Sequence, residues 1–147
     1  MLLRAFIISG LIALSLAACS EEAPTVGEAK DFAAVCQEAN KGNRIAVEGY
    51  LRLPDSFSGD SSVILRLYET ADFAGETIGV QTRIGSEANQ MENVPTSYSD
   101  EDLQVHLADG QVAGLGSKVK VSGKVYFPMV EQVFACSLEN PLIEQVN

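Results

Sequence analysis

Two segments of the chain repeat one pattern at a constant offset of 74 residues. Segments 42–54 and 116–128 both begin with Gly, end with Pro and carry apolar side chains at alternate positions between. The alternating residues are Ile45, Val47, Leu51 and Leu53 in the first, and Val119, Val121, Val125 and Phe127 in the second. A period of two predicts half-buried β-strands. The pair therefore favours an all-β fold.

Gly49 and Gly123 occupy the same inward position of the two repeated segments. A strand position without a side chain permits a bulge or a sharp bend, which a strand needs at the corner of a barrel. We therefore expect both segments in one small β-barrel. Two unrelated strands of a β-sandwich are the alternative that this pattern leaves open.

Other strands are predicted around the repeated pair. Apolar and β-branched residues favour strands at 63–68 and 77–84, and a hairpin joins 103–107 to Val112 through an Asp109–Gly110 turn. A closing strand is expected at 133–138. The polar stretch 85–101 is expected to be a loop.

A short N-terminal helix is predicted over 26–40. Thr25 and Glu28 have the spacing of a capping box, and Asn40 with Gly42 suits a helix end. Phe32, Val35, Cys36 and Ala39 follow at the spacing of one apolar helix face.

The N-terminus has the features of an export signal. Arg4 is followed by the apolar run 5–16 and then by Leu16-Ala17-Ala18-Cys19, a pattern typical of secretory signals. The last four residues resemble a bacterial lipobox. The resemblance implies that a lipoprotein signal peptide at 1–18 is removed and that Cys19 is acylated, with palmitate among the chains. An ordinary small-residue cleavage site beside a chance Cys is the alternative.

The lipobox resemblance also implies a location and a domain plan. Ser20, and not Asp, follows the acylated residue, which favours an outer-membrane anchor in the cell envelope, facing the periplasm. Residues 19–25 are then a tether to the membrane, and 26–147 form the barrel domain.

Composition restricts the partners. The chain has 46% hydrophobic residues and a formal charge of −10; loss of 1–18 removes one Arg and no acid, so the charge becomes −11. Such a chain repels phosphate backbones, which argues against nucleic acid. The partners we expect are the membrane, through the lipid, and an envelope protein or polymer.

Two cysteines remain if Cys19 is acylated. Export places Cys36 and Cys136 in an oxidising compartment, where disulfides persist. We predict a structural disulfide between them. A redox or metal-binding thiol pair is the alternative, although the sequence has no Cys-x-x-Cys and only one His.

The order of elements resembles an OB-fold domain, similar to the anticodon-binding-like OB domains of exported bacterial proteins. The resemblance rests on a short helix, a Gly-x-x-[Val/Ile]-x-Val-x-Gly-x-[Val/Leu] strand, a hairpin, a loop-rich insertion, a second such strand and a Cys-bearing last strand. It covers about residues 28–146. It implies a Greek-key barrel that binds ligands across one face and its loops.

Catalytic patterns are absent from the sequence. His106 is the only His and is expected to point to solvent, and there is no Gly-x-Ser-x-Gly or Ser-x-x-Lys. We therefore expect no enzyme, no cofactor and no metal. The acidic run 100–102 with Asp109, and the loop from Asp55 to Asp60, are interpreted as solvated; calcium binding is the alternative.

Cations and aromatic residues share the predicted outer strand faces. An anionic or glycan ligand would be held by Tyr50, Arg52, Arg66, Tyr68 and Arg83, since aromatic rings beside Arg suit stacking. Solubility of exposed strands is the alternative reason for these charges. We expect a lipid-anchored, non-catalytic envelope binding module, or alternatively a structural accessory subunit that docks through its barrel without a small ligand.

Overall fold

A computed structural model describes residues 21–57, 59–130 and 133–147. The predicted signal at 1–18 and the predicted acylation site Cys19 lie outside these residues. The strands are β1 (Glu28–Ala29), β2 (Arg44–Arg52), β3 (Ser62–Tyr68), β4 (Thr77–Ile84), β5 (Gln90–Met91), β6 (Val105–His106), β7 (Val112–Ala113), β8 (Lys118–Tyr126) and β9 (Ser137–Gln145). The 3₁₀ helices are Phe32–Ala34, Glu38–Asn40 and Asp100–Asp102.

Five long strands close into a barrel. β2 pairs with β3, β3 with β4, β4 in parallel with β9, β9 with β8, and β8 again with β2. The repeated segments become β2 and β8, which are antiparallel neighbours with Ile45 opposite Gly123 and Gly49 opposite Val119. The all-β prediction is confirmed, and the closed five-stranded barrel is consistent with a small OB-like barrel.

The two inward glycines lie where the barrel bends. β2 leaves β8 at Tyr50 and pairs with β3 from there onward. A Cβ on Gly49 would overlap the carbonyl oxygen of Tyr68, and one on Gly123 would lie 2.7 Å from the Leu138 Cβ. The register of β8 with β9 shifts around Gly123. The predicted bend and bulge are therefore present, because only glycine allows such close backbone approach.

The core is continuous from the barrel into the insertion between β4 and β8. Side chains of the repeated strands, such as Val47 and Val121, are buried together with Leu65 and Leu138. The insertion adds the buried residues Met91, Leu103, Val105, Leu107 and Ala113 to the same cluster. The predicted hairpin is confirmed, with Gly110 at a φ of 86° in the turn between β6 and β7.

The helix predicted over 26–40 is not formed. Glu28 and Ala29 pair in parallel with β2, and two 3₁₀ helices follow. Gln37 between them is extended, and the Asn40 amide donates to the carbonyl oxygens of Ala34 and Val35 at 2.7 and 3.3 Å. These carbonyls are thus satisfied by a side chain and not by a continuing helix. The apolar spacing correctly indicated that Phe32 and Val35 are buried, but the 3₁₀ turns bury them without an α-helix.

The closing strand lies later than the predicted 133–138. β9 begins at Ser137, so Cys136 precedes the strand, and β9 continues through Pro141 to Gln145. Proline usually marks the end of a central strand. Here the register of β9 with β8 is interrupted opposite Gly123, beside Asn140 with its φ of 48°, and this irregularity accommodates Pro141.

The predicted disulfide is confirmed. Cys36 and Cys136 are bonded, with their Cα atoms 5.4 Å apart and 100 residues between them in sequence. The bond fastens the 3₁₀ segment to the start of β9. Closing a loop of this length stabilises the fold by about 4.7 kcal/mol in the chain-entropy view.

Candidate functional site

Four of the five predicted ligand residues are brought together on the outer face of β2 and β3. Tyr50 lies opposite Tyr68 and Arg52 lies opposite Arg66 in the antiparallel register. Arg83 is not part of this group, because it pairs with Ser62 at the other end of β3. Tyr68 follows Ser62 by six residue steps along the strand, which is about 20 Å.

Arg52 is held by groups of its own chain. Its Nε donates to the Asp100 Oδ2 at 2.7 Å, and its guanidinium lies 5.4 Å from the centre of the Phe73 ring. The hydrogen bond to Asp100 raises the pKa of Arg52. Tyr68 packs edge-on against the same Phe73 ring and is only 7% exposed. The expected stacking surface at Tyr68 is therefore covered by protein.

The other two predicted arginines are also paired. Arg66 donates to the Asp55 Oδ2 at 3.0 Å, and its side chain is only 14% exposed. Arg83 forms an ion pair with Glu21. Three different segments, the N-terminal segment, the loop 53–61 and the 3₁₀ helix Asp100–Asp102, thus supply one carboxylate to each arginine that was expected to bind an anion. The charges that suggested an anionic ligand are balanced within the chain.

Lysines of the described surface are also neutralised by ion pairs within the chain. Carboxylates pair with four lysines, in the pairs Lys30–Glu28, Lys41–Glu38, Lys118–Glu48 and Lys120–Glu144. Glu48 raises the pKa of Lys118 by hydrogen bonding. Within the described ranges, Lys124 has no carboxylate within 4 Å. Because the chain contains more Asp and Glu than Lys and Arg, acidic side chains remain in excess after these pairs are formed.

An apolar groove lies on the neighbouring part of the barrel, across β3 and β4. Its volume is about 490 Å³. Its floor carries Ile64 and Gln81, and its walls come from the loop 53–61 and from the loop after β8. The lining residues that matter here are Pro54, Phe57, Ile64, Arg66, Val133 and Phe134. The sequence reasoning did not identify this groove.

Gly79 makes room for one wall of the groove. A Cβ at this position would lie 3.0 Å from the Ile64 Cγ2 and 3.1 Å from the Phe134 ring. The Phe134 ring therefore lies directly over the backbone of β4, next to Ile64. On the opposite wall, Phe57 packs against Tyr98, whose hydroxyl donates to the carbonyl oxygen of Pro54.

Apolar side chains beside this groove are open to solvent. Met129, Val130 and Val133 are 98%, 73% and 66% exposed. A second cavity of about 390 Å³ lies on the other side of Val133 and Phe134 and is lined also by Val130 and Glu76. Exposed apolar residues next to a groove are typical of interaction surfaces. The apolar residues Met129, Val130, Val133 and Phe134, close together in the sequence, were the available signal.

The predicted acidic sites are engaged in local structure. Asp100 binds Arg52, and Asp102 accepts a hydrogen bond from the Ser99 backbone N–H. His106 does not point freely to solvent as expected: its Nε2 lies 2.8 Å from the Glu92 Oε1 and its side chain is 17% exposed. Within the described part of the chain, no three His, Cys, Asp or Glu side chains are grouped to hold a metal.

Comparison with known proteins adds no identity. The chain matches no family model and no curated protein. Among the described residues, no helix has the length and apolar character that crossing a membrane would require.

Proposed function

We propose that this protein is a lipid-anchored, non-catalytic binding module of the cell envelope, and that its OB-like barrel binds a cationic, apolar polypeptide segment. The observation that carries the proposal is the open apolar groove over Ile64 and Phe134, beside arginines that are already paired. An anionic polymer would have to displace Asp55 and Asp100, whereas an apolar segment finds the groove open.

The position of the groove supports a binding role. OB-fold barrels bind ligands over their second and third strands, between the loop joining strands one and two and the loop joining strands four and five. The corresponding elements here are β3, β4, the loop 53–61 and the loop after β8. The groove lies over these two strands and is walled by these two loops.

Charge supports a cationic partner. Asp60 lies in the loop 53–61, and Glu76 lines the adjoining cavity. The one cation of the groove, Arg66, is paired with Asp55. Complementary charge favours encounter and orientation, while buried apolar anchors supply most of the affinity. A segment with alternating basic and apolar residues suits both features.

Two observations support the envelope location. The residues Leu16-Ala17-Ala18-Cys19 resemble a lipobox, and acyl chains anchor a protein stably when more than one is attached. The Cys36–Cys136 disulfide fits an oxidising compartment outside the cytoplasm. Mass spectrometry of the N-terminal peptide tests the anchor, and an unacylated Cys19 would refute it.

Defined probes test the ligand class. We expect a short alternating Lys–Leu peptide to shift amide NMR signals of 55–57, 62–66 and 133–134, and a Glu–Leu peptide or oligo-dT to leave them unchanged. The variant V130S/V133S should bind the Lys–Leu peptide about tenfold more weakly. The matched control V112S/L115S, which changes exposed apolar residues elsewhere, should bind as the wild type does.

The physiological partner is sought in intact cells. A photoreactive amino acid at position 134 should crosslink to one polypeptide, and the same group at position 112 should not. Weaker binding of that purified polypeptide to V130S/V133S would support the proposal. Binding of oligo-dT to the Arg52 and Arg66 face would contradict it.

A structural accessory subunit is the second candidate. It is favoured by the nearly complete exposure of Met129, which a docked protein would cover. A purified partner that binds the full barrel with unchanged affinity for V130S/V133S would favour this second role over the groove.

A further inference from the structure

The chain just after the predicted acylation site is fastened to the barrel. The Arg44 guanidinium donates to the carbonyl oxygen of Thr25 from Nε at 3.0 Å and from Nη2 at 2.6 Å. The Asn140 amide donates to the carbonyl oxygen of Glu22 at 3.0 Å. Residues 22–25, which belong to the predicted tether 19–25, are thus held at both ends by side chains of the barrel.

Arg44 ties this segment to three strands. It lies on β2 and also donates to the carbonyl oxygen of Asn140 on β9 at 3.0 Å and to that of Ser122 on β8 at 3.3 Å. Partial burial lowers the pKa of Arg44, and Glu22 opposes this shift. All these acceptors are backbone carbonyls, which fix position without depending on another residue's charge.

The fastened segment lies at one end of the groove. Glu21, Glu22, Ala23 and Pro24 line a cavity of about 600 Å³ beside β4 and β9, which Ser62 at the start of β3 also lines. Ser62 and Gln81 line both this cavity and the apolar groove. We call the part of the molecule around this cavity, with Ser62, Arg83 and Asn140, the tether end. The far end of β3 and β4 carries Tyr68 and Thr77.

The distance to the membrane is short. Cys19 precedes Glu21 by two residues, which span at most about 7 Å of extended chain. A fastened Glu22 therefore keeps an acylated Cys19 close to the tether end. A free linker would let the barrel tumble, whereas this arrangement leaves almost no slack.

We propose that the tether end rests on the bilayer surface and that the groove opens there, so that it binds the membrane-proximal stretch of an envelope polypeptide. This inference rests on the lipid anchor of the proposed function. A segment emerging from the same membrane enters the groove near Ser62 and Gln81. A polypeptide segment that is not attached to the membrane would not be positioned next to the groove in this way.

Single-cysteine labelling tests the orientation. The disulfide occupies Cys36 and Cys136, so one engineered thiol on the lipidated protein is uniquely reactive. A fluorophore at A88C, which lines the tether cavity, should be quenched several-fold more by headgroup-labelled phosphatidylcholine vesicles than one at E69C, next to Tyr68 at the far end of β3 and β4. Both positions are exposed.

Two variants identify the cause of the orientation. N140G keeps the positive φ of this position and removes the amide that holds Glu22. A flexible Gly-Ser linker between Ser20 and Glu21 leaves the fastening intact and lengthens the chain to Cys19. Both changes should reduce the quenching ratio, and the linker should bring it close to one.

The outcomes separate this inference from the proposed function. Equal quenching at the two positions of the lipidated wild type would overturn the orientation and leave the anchor in place. An unchanged ratio in both variants would also overturn it, because the orientation would then not come from the fastened segment. Failure of vesicle flotation with an unacylated Cys19 would instead refute the anchor.

Discussion

The outer face of β3 has two halves of opposite character. In the arginine half, Arg66 and its neighbour Arg52 are each bonded to a carboxylate. In the groove half, Ile64 lies among Phe57, Val133 and Phe134 in an open apolar cavity. The comparison teaches that the number of cations on a strand does not measure its affinity for anions, since the same chain can supply the counter-charges.

The counter-charges come from distant parts of the sequence. Asp100 is 48 residues from Arg52, and Glu21 is 62 residues from Arg83. Because these pairs are partly or largely exposed, each contributes little to folding free energy. Their greater effect is on recognition, because they occupy the arginine donors that a phosphate or sulfate would otherwise use.

The largest expected effect comes from a change that breaks the barrel beneath both halves. The variant G49A places a Cβ against the Tyr68 carbonyl and 3.0 Å from the Leu67 side chain. We expect a loss of about 3 kcal/mol in unfolding free energy, because strands would have to separate. Urea unfolding followed by circular dichroism measures it.

The control for the barrel prediction is G114A. A Cβ there would lie 3.2 Å from one carbonyl oxygen, in a loop that can shift. It should cost less than about 1 kcal/mol. A G49A protein as stable as G114A would show that the barrel corner at Gly49 is not tightly packed.

The next largest effect separates the groove half from the arginine half. The variant F134A removes the wall over Gly79, and we expect affinity for the Lys–Leu peptide to fall by about 1–3 kcal/mol in binding free energy. Calorimetric titration measures this loss. R52Q, in the arginine half, is the matched change and should alter that affinity by less than about 0.5 kcal/mol. The reverse ranking would contradict the assignment of the groove.

A third change converts the arginine half into an anion site. The variant D55N/D100N removes the carboxylates paired with Arg66 and Arg52. We expect weak oligo-dT binding to emerge at low salt, with a slope of log K against log salt of about −1.4 for two phosphate contacts. Fluorescence anisotropy measures it.

The variant E48Q is the control for this conversion. It frees a single lysine, Lys118, which lies opposite Tyr50 in the β2–β8 register, and it leaves the pairs of Arg52 and Arg66 intact. It should not bind oligo-dT measurably. Equal gains in E48Q and D55N/D100N would show that net charge alone, and not the release of two neighbouring arginines, decides anion binding.

The smallest effect lies in the insertion, outside both halves. Hydrogen bonds from His106 and Ser86 lower the pKa of Glu92 below its ordinary 4.5. A carboxyl with a depressed folded pKa stabilises the fold above its unfolded pKa and loses that contribution as pH falls through the folded pKa. Thermal melts should therefore show E92Q losing less stability than the wild type on acidification below pH 4.5. Parallel acid limbs for the two proteins would contradict this.

Local sequence signals predicted most of the barrel. Alternation at 42–54 and 116–128 marked β2 and β8, and the Asp109–Gly110 pair marked the hairpin turn. The sequence signals gave a wrong prediction where backbone groups bond to a neighbouring strand or to a side chain and do not form a continuous helix. The segment 26–40 has the spacing of a helix, yet pairing with β2 and the Asn40 amide satisfy its backbone instead.

The site was predicted only in part. Strand alternation correctly placed Tyr50, Arg52, Arg66 and Tyr68 on one face. It gave no information on what covers that face, because Phe73, Asp100 and Asp55 approach from loops. The groove was missed for the same reason, since it forms where two loops meet over Gly79.

By itself, the sequence determined the strand period, the two glycine bends and the acidic balance, because these depend on neighbouring residues or on composition. Tertiary structure alone decided which arginines are neutralised, where an apolar groove stays open and how residues 22–25 are fastened. These features join residues distant in sequence, and their energies depend on distance and burial in space.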